Sequence, residues 1–298
     1  MITGIYTDYL ARIGVTNPGS PSVEGLFALT RAHLERIPFE NTDIQLGRPP
    51  AIDPELSVRR LAAGRGGYCF HLNGAFAALL EQLGYDVTLH VGGVCADTDS
   101  REVSGDHLTL TVRIDGQAYF VDVGLGDGPP EPLPLREGRY ERGFAYGLRP
   151  LGSADGSGSG SEASDGSEAS DGSDTGWTFL NEDSPFPAMN FRSAPATMAD
   201  FADEHLRLST AEDSPFLQSF FMLRRHAGGV HRLHGKVLLH IGPDGGRDKR
   251  ELASSQELSE TMATVFGREL DDLTPADRAA LWDRVERAHE AWLASQQD

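Results

Sequence analysis

Cys69, His107 and Asp122 supply a thiol, an imidazole and a carboxylate. Those groups make an activated nucleophile when a base reaches the sulfur and an acid orients the base. The His/Asp half follows from local sequence. Strand-like runs over 107–114 and 117–123 are separated by Asp115-Gly116, a dipeptide suited to a type I′ turn because both central positions need φ > 0. With a two-residue loop, Ile114 faces Gln117, Thr109 faces Asp122 and His107 faces Gly124. His107 and Asp122 then become diagonal neighbours on one face, roughly 7–8 Å apart at the backbone, a gap that two facing side chains can close. A histidine satisfied by a carboxylate for structural reasons gives the same pattern. The cysteine favours chemistry.

The element that must present the cysteine is a helix. Phe70, Leu72, Phe76, Leu79, Leu80 and Leu83 recur near helical spacing, and Gly84 closes the run. Gly66 and Gly67 are expected to let the chain turn sharply before the helix, leaving Cys69 in its first turn. Unpaired N–H groups and the positive end of the helix dipole favour a thiolate there. The same N–H groups can receive the oxyanion of a tetrahedral intermediate. Cys95, placed just past a strand expected over Val87–Val94, reads as an inert small hydrophobe.

Arg65-Gly66-Gly67-Tyr68-Cys69, followed by Asn73, resembles the nucleophile motif of the arylamine N-acetyltransferases. Ile37-Pro38-Phe39-Glu40-Asn41, His107-Leu108, Val121-Asp122-Val123-Gly124-Leu125-Gly126 and Ser214-Pro215-Phe216 resemble further motifs of that family, in the same order. The resemblance covers most of the chain apart from residues 152–176. It implies a ping-pong acyl transfer in which Cys69 takes an acetyl group from acetyl-coenzyme A as a thioester. The acetyl group then passes to the nitrogen of an arylamine, arylhydroxylamine or hydrazine. It also implies Phe39, Leu125 and Phe216 as substrate contacts, with acetyl-coenzyme A as co-substrate and no permanently bound cofactor. Two positions depart from the family pattern: His71 stands where a glutamate is usual, and Leu125 where phenylalanine is usual. His71, two positions along the helix, is expected to point away from the thiol. A cysteine hydrolase of the protease or transglutaminase-like kind shares the Cys, His, Asp order. Macrolactam-forming amide synthases share the triad, and a non-catalytic relative is the third alternative.

The expected fold is α+β. A helical bundle over residues 1–85 carries the nucleophile, with an amphipathic stretch from Val23 to Ile37 stopped by Pro38. A β-rich, barrel-like segment over 86–205 carries His107 and Asp122. Within it, residues 152–176 are rich in Gly, Ser, Asp and Glu and repeat Ser-Glu-Ala-Ser-Asp-Gly twice. Such a composition buries too little apolar surface to order itself, so a disordered surface insertion is expected. An α/β lid over 206–298 contains short strands around Phe220–Leu223 and Val237–Ile241. Its last helix opens at Thr274-Pro275-Ala276-Asp277, with Leu281, Trp282, Val285, Ala288 and Trp292 on one packed face. The resemblance implies the same order of parts and the cysteine-protease-like Cys-His-Asp arrangement.

Several other residues carry expectations. Glu40 and Arg65 are expected to form a buried ion pair holding the Cys69 loop. Arg224, Arg225 and Arg232 are expected to meet an anionic coenzyme. His226, His231 and His234 show no zinc-ligand spacing, and Gly228-Gly229 reads as a turn between them, so no metal is expected.

The 298 residues carry a net charge of −19 with only two lysines, Lys236 and Lys249. That balance argues against nucleic acid or anionic membranes as partners. No signal-peptide pattern and no run of about 18 apolar residues occurs, and two cysteines fit a reducing compartment, so a cytoplasmic location is expected. An acidic, lysine-poor surface also fits concentrated salt, where self-repulsion is screened. Thermal unfolding is therefore expected to move to higher temperature between dilute buffer and molar KCl. A midpoint indifferent to salt would count against halophilic adaptation.

Overall fold

A computed structural model describes residues 4–151 and 175–295. The N-terminal layer consists of α1 (Ile5–Arg12), α2 (Val23–Arg36), the two-residue strand β1 (Phe39–Glu40), α3 (Thr42–Gln45), α4 (Pro54–Ala62) and α5 (Cys69–Gln82). Ser22 opens α2 by accepting the Gly25 N–H at 3.0 Å, satisfying one of the orphan donors of the first turn. Ile37 is already extended, as the residue before a proline must be. Asp53 caps α4 in the same way, with Pro54 in its first turn.

Next come β2 (Asp86–Cys95), β3 (His107–Ile114), β4 (Gln117–Val121), β5 (Leu133–Pro134), β6 (Gly138–Glu141), β7 (Ala145–Pro150), β8 (Gly176–Asn181) and β9 (Ala188–Arg192). They form one antiparallel sheet in the order β5-β4-β3-β2-β9-β8-β7-β6. Asp115 and Gly116 both take positive φ, 50° and 80°, and Ile114 pairs with Gln117 and Leu110 with Val121. This is the expected hairpin register. The C-terminal part comprises α6 (Ala202–Thr210), α7 (Pro215–Gln218), β10 (Phe221–His226), β11 (Gly229–His234), β12 (Val237–Ile241), β13 (Arg247–Glu251), α8 (Ser255–Thr264) and α9 (Pro275–Ser295). A second antiparallel sheet runs β1-β10-β11-β12-β13.

Three apolar cores hold these layers together. α5 is buried along nearly its whole length and packs with α2, α4, β2 and β3. Phe120, Phe179 and Phe191 of the large sheet share a core with Val230 and Ile241 of the second sheet. The opposite face of that sheet, through Met222, Leu233 and Leu238, packs on α8 and α9. The architecture is α+β, as expected.

The boundaries differ in places. Residue 206 lies inside α6, whose Leu208 joins Phe201 in the core around α5, so packing ties α6 to the N-terminal helices. Conversely, β1 leaves the N-terminal layer to pair with β10, Phe39 opposite Leu223. Of the expected insertion, residues 152–174 lie outside the described residues, while Gly176 is already the first residue of β8. The turn expected at Gly228-Gly229 falls one residue earlier, and Gly229 begins β11. β13 reads Arg-Asp-Lys-Arg-Glu and is exposed throughout, so it has no apolar alternation to announce it. Thr274 and Asp277 exchange the expected capping hydrogen bonds at the start of α9. Leu281, Trp282 and Val285 are buried, but Trp292 is 52% exposed, because the apolar face outruns the core it packs on.

Candidate active site

Cys69 is the first residue of α5, with Tyr68 as the extended N-cap. The two glycines before it serve close approach. Neither takes positive φ. A Cβ on Gly66 would stand 2.3 Å from the Pro38 carbonyl and one on Gly67 would stand 2.7 Å from Cβ of His71. The sharp turn expected of them is therefore a requirement for space, which lets Gly67 bridge to Phe39 and accept the Glu40 N–H at 2.9 Å. His71 and Leu72 both donate their N–H groups to the Tyr68 carbonyl, so those first-turn amides are already used.

His107 Nε2 lies 2.7 Å from Asp122 Oδ2, and the imidazole interacts with the Cys69 sulfur as well. All three side chains are buried, at 4%, 3% and 2% exposure in the order Cys69, His107 and Asp122. Asp122 is held from every side: Oδ1 accepts from Asn73 Nδ2 at 3.0 Å and from the amides of Gly124 at 2.8 Å and Leu125 at 3.1 Å. Asn73 in turn donates to the Leu108 carbonyl at 2.6 Å and accepts the Val123 N–H at 2.9 Å. It thereby ties α5 to β3 and to the segment that follows β4. Sequence reasoning had used Asn73 only as part of a motif; its hub position needs the tertiary fold. Burial alone would lower the pKa of His107, but Asp122 and then Cys69 outweigh it, so it lies well above the ordinary 6.5.

Gly124 touches the nucleophile. A Cβ there would stand 2.6 Å from Asn73 Nδ2 and 2.8 Å from Cys69 Cα. Gly124→Ala should force α5 and the loop after β4 apart and lower turnover at least ~10²-fold, since displacements near 1 Å cost about that much. Steady-state kinetics on folded variant protein checks it.

Phe39, Leu125 and Phe216 are all half-buried. Phe39 and Phe216 are in ring contact at 6.2 Å, and Phe216 also meets Tyr68 at 5.0 Å. Leu125 follows Gly124 directly and donates to Asp122. His71 points away from the sulfur, as expected, with Nε2 donating to the Pro50 carbonyl at 3.3 Å. Burial, followed by Arg60, pushes its pKa down to about 3, so it stays neutral and is not a second base. Cys95 is the last residue of β2, which runs one residue further than expected. It is buried, and burial raises its thiol.

Three expectations need correction. Glu40 pairs with Arg268 at 3.2 Å, while Arg65 pairs with Asp272 at 3.2 Å. Arg268, fully buried, bridges Glu40 and Asp272, and Glu40 accepts the amides of Thr42 and Gly66. Burial pushes the Glu40 carboxyl up, but Arg268 and the Thr42 hydrogen bonds outweigh it, leaving the pKa below the ordinary 4.5. Arg268→Met strands Glu40 without a counter-charge and should cost about 3–5 kcal/mol, read by urea unfolding. That contribution is present above the ordinary carboxylate range and is lost as pH falls through the lowered pKa.

The coenzyme arginines are the second correction. Arg225 is buried and donates to the carbonyls of Asp127 and Gly128 and to the Tyr146 hydroxyl, with its guanidinium 4.2 Å from the Phe144 ring. Arg232 is spent on Asp127 Oδ2 at 2.6 Å and the Asp183 carbonyl at 3.0 Å. Arg224 lies on the other face of the sheet, because strand residues alternate. These three do not form one cationic patch. Asp127, the acid that organises two of them, was missed; its place beside the Gly124-Leu125-Gly126 run was the available signal.

The third correction concerns the histidines. The hairpin between β10 and β11 brings His226 and His231 together, with Nε2 to Nδ1 at 2.9 Å. His234 lies on the other face, its ring 4.6 Å from that of Phe221.

A family model described as N-acetyltransferase matches residues 22–274. A curated relative, the arylamine N-acetyltransferase / N-hydroxyarylamine O-acetyltransferase of Salmonella typhimurium, is 36% identical over 136 residues, 45% of this chain and 48% of that protein. The matches to the first curated relatives span about half the length of each. Solved structures match more fully. The Nocardia farcinica arylamine N-acetyltransferase is 31% identical with a TM-score of 0.78, covering 94% of this chain and 95% of that one. The Mycobacterium marinum arylamine N-acetyltransferase in complex with CoA is 25% identical with a TM-score of 0.78, covering 95% and 99%. With a family model over most of its length and a full-length structural relative above 30% identity, the chain belongs to the arylamine N-acetyltransferase family.

Proposed function

We propose that this protein transfers an acetyl group from acetyl-coenzyme A to the nitrogen of a small aromatic amine, arylhydroxylamine or hydrazine through a thioester on Cys69. The observation that carries the reading is the buried His107–Asp122 hydrogen bond, with the Cys69 sulfur among the groups that raise the imidazole. The CoA complex of the Mycobacterium marinum relative supports the donor.

In the resting state the raised pKa of His107 favours an imidazolium beside a Cys69 thiolate. The sulfur attacks the thioester carbonyl, and the amides of Cys69 and Phe70, at the start of α5, are the candidates to receive the oxyanion. As the intermediate collapses, the carbon–sulfur bond to coenzyme A breaks, and His107 gives its proton to the departing thiolate. Acetylation removes the sulfur's charge, so His107 loses part of what held its pKa up and becomes a competent base. The amine attacks, His107 takes its proton, and the Cys69 thiolate leaves with the imidazolium restored. Asp122 keeps Nε2–H turned towards itself throughout, which leaves Nδ1 as the nitrogen that exchanges the proton.

Phe39, Leu125 and Phe216 lie around this centre and are proposed to line the acceptor site. Leu125 offers no ring to stack on, which favours smaller or less planar acceptors than an aromatic side chain there would. No helix among the described residues is long and apolar enough to cross a membrane. Two free cysteines and an acidic surface support a reducing, salt-rich cytoplasm as the setting.

An acceptor screen in high salt, reading coenzyme A thiol release and acetylated product together, tests the reading. The expected result is equal amounts of both with an aromatic amine or hydrazine. Thiol release without acetylated product would indicate a hydrolase, and release with neither class of acceptor would overturn the proposal.

A further inference from the structure

The second sheet carries a group of side chains that acyl transfer does not use. His226 on β10, His231 on β11 and His240 on β12 are the group of metal-competent side chains found among the described residues, each half-buried, with one ligand atom of each within 4.8 Å of the others. We propose that these three imidazoles form a binding site for a divalent transition-metal ion of the zinc class, clamping three consecutive strands.

The register makes the grouping unavoidable. His231 pairs directly with Arg224 on one side and with His240 on the other. Directly opposed residues share a face, and His226 lies two residues beyond Arg224, so all three rings project from one face. This is the face opposite Leu223, which meets Gly126 and Phe39 on the nucleophile side. The rings stack, with centroids 4.6 to 5.6 Å apart. Imidazole suits zinc, copper and nickel, and three neutral ligands with one open position are a recognised zinc arrangement. Nitrogens at about 2.0–2.1 Å from a tetrahedral ion stand roughly 3.4 Å apart, within small side-chain rotations of the spacing here.

The surrounding groups fit the ion. His240 Nε2 donates to the Gly228 carbonyl at 3.1 Å, which leaves Nδ1 as its lone pair and supplies the outer hydrogen bond that ligating histidines use. Gly228 N–H donates to His226 Nδ1 at 3.1 Å, so His226 Nε2 carries the proton that points at His231 Nδ1. Ion binding moves that proton to Nδ1 and hands the exposed Gly228 amide to water, with no net change in charge on the ring. Arg224, opposite His231 on the same face, is a neighbouring cation that opposes the ion, whereas Asp248 faces His240 from β13 on that face and favours it.

The test uses the full chain, stripped with a chelator and dialysed, then titrated with ZnCl2 by calorimetry. One zinc per chain is expected, with the unfolding midpoint raised by roughly 5 °C when zinc is ~100-fold above its Kd. His231→Ala and His240→Ala should each abolish both effects, and Cys69→Ala should leave both intact. Should the histidine variants fail to unfold cooperatively, Co2+ added to the unmodified chain serves instead. Tetrahedral visible bands without a sulfur-to-cobalt band in the near ultraviolet support the site. No saturable uptake, uptake unchanged in folded histidine variants, uptake lost in Cys69→Ala, or a sulfur-to-cobalt band would overturn it.

Discussion

Cys69→Ala is expected to bring amine acetylation down by ~10⁴-fold or more, to the uncatalysed background. The sulfur is the atom on which the acetyl group rests between the two half-reactions, and removing the nucleophile of a triad removes nearly all of its rate enhancement. The substitution deletes one buried atom at the first position of α5 and leaves the Asp122 hydrogen bonds untouched. Stability should change by no more than ~1 kcal/mol, because little volume is lost. A second readout separates chemistry from packing. Cys69 is one of the groups that raise His107, so the imidazole of the variant should titrate at lower pH than that of the parent, as followed by NMR. An unchanged titration would mean that the sulfur carries no charge next to the ring.

Asp122→Asn is expected to cost about 10⁴-fold in kcat while the protein stays folded, by analogy with other triads. Oδ1 accepts three hydrogen bonds, from Asn73, Gly124 and Leu125, so the amide oxygen must take that place. The amide NH2 is then left facing His107 Nε2, where Oδ2 now accepts at 2.7 Å. Two donors cannot face each other, so the ring adopts the other tautomer, with the proton on Nδ1. In that form His107 cannot take the proton of the attacking amine. The loss should appear in kcat more than in KM, and the pH profile should lose the limb set by the raised His107. A large rise in KM with kcat preserved would assign Asp122 to substrate binding instead.

How much of this was legible in the sequence depends on how local each signal is. The His107/Asp122 pairing rests on a two-residue turn, and Asp115 and Gly116 take the positive φ values that fix the register. The start of α5 at Cys69 and the capping of α9 are equally local. The Glu40–Arg65 pairing failed because it joined charges from two motifs near the nucleophile, whereas the partner of Glu40 is Arg268, 228 positions along the chain. No spacing rule reaches that far. Arg224, Arg225 and Arg232 looked like one patch as charges on a string, but adjacent strand residues face opposite ways, and Asp127 had already claimed two of them. The histidines show a signal that was present and unused. His231 and His234 are three apart in a strand and so cannot share a face, whereas His240 becomes the natural partner once β12 is placed beside β11.

The central claim is that the acetyl group travels on the sulfur of Cys69. Its most direct test is mass spectrometry of the intact protein and its peptides after mixing with acetyl-coenzyme A. One acetyl mass should appear on the peptide containing Cys69 and disappear when an aromatic amine is added, with the acetylated amine formed in equal amount. An unmodified Cys69, or an adduct there that no amine removes, would contradict the account.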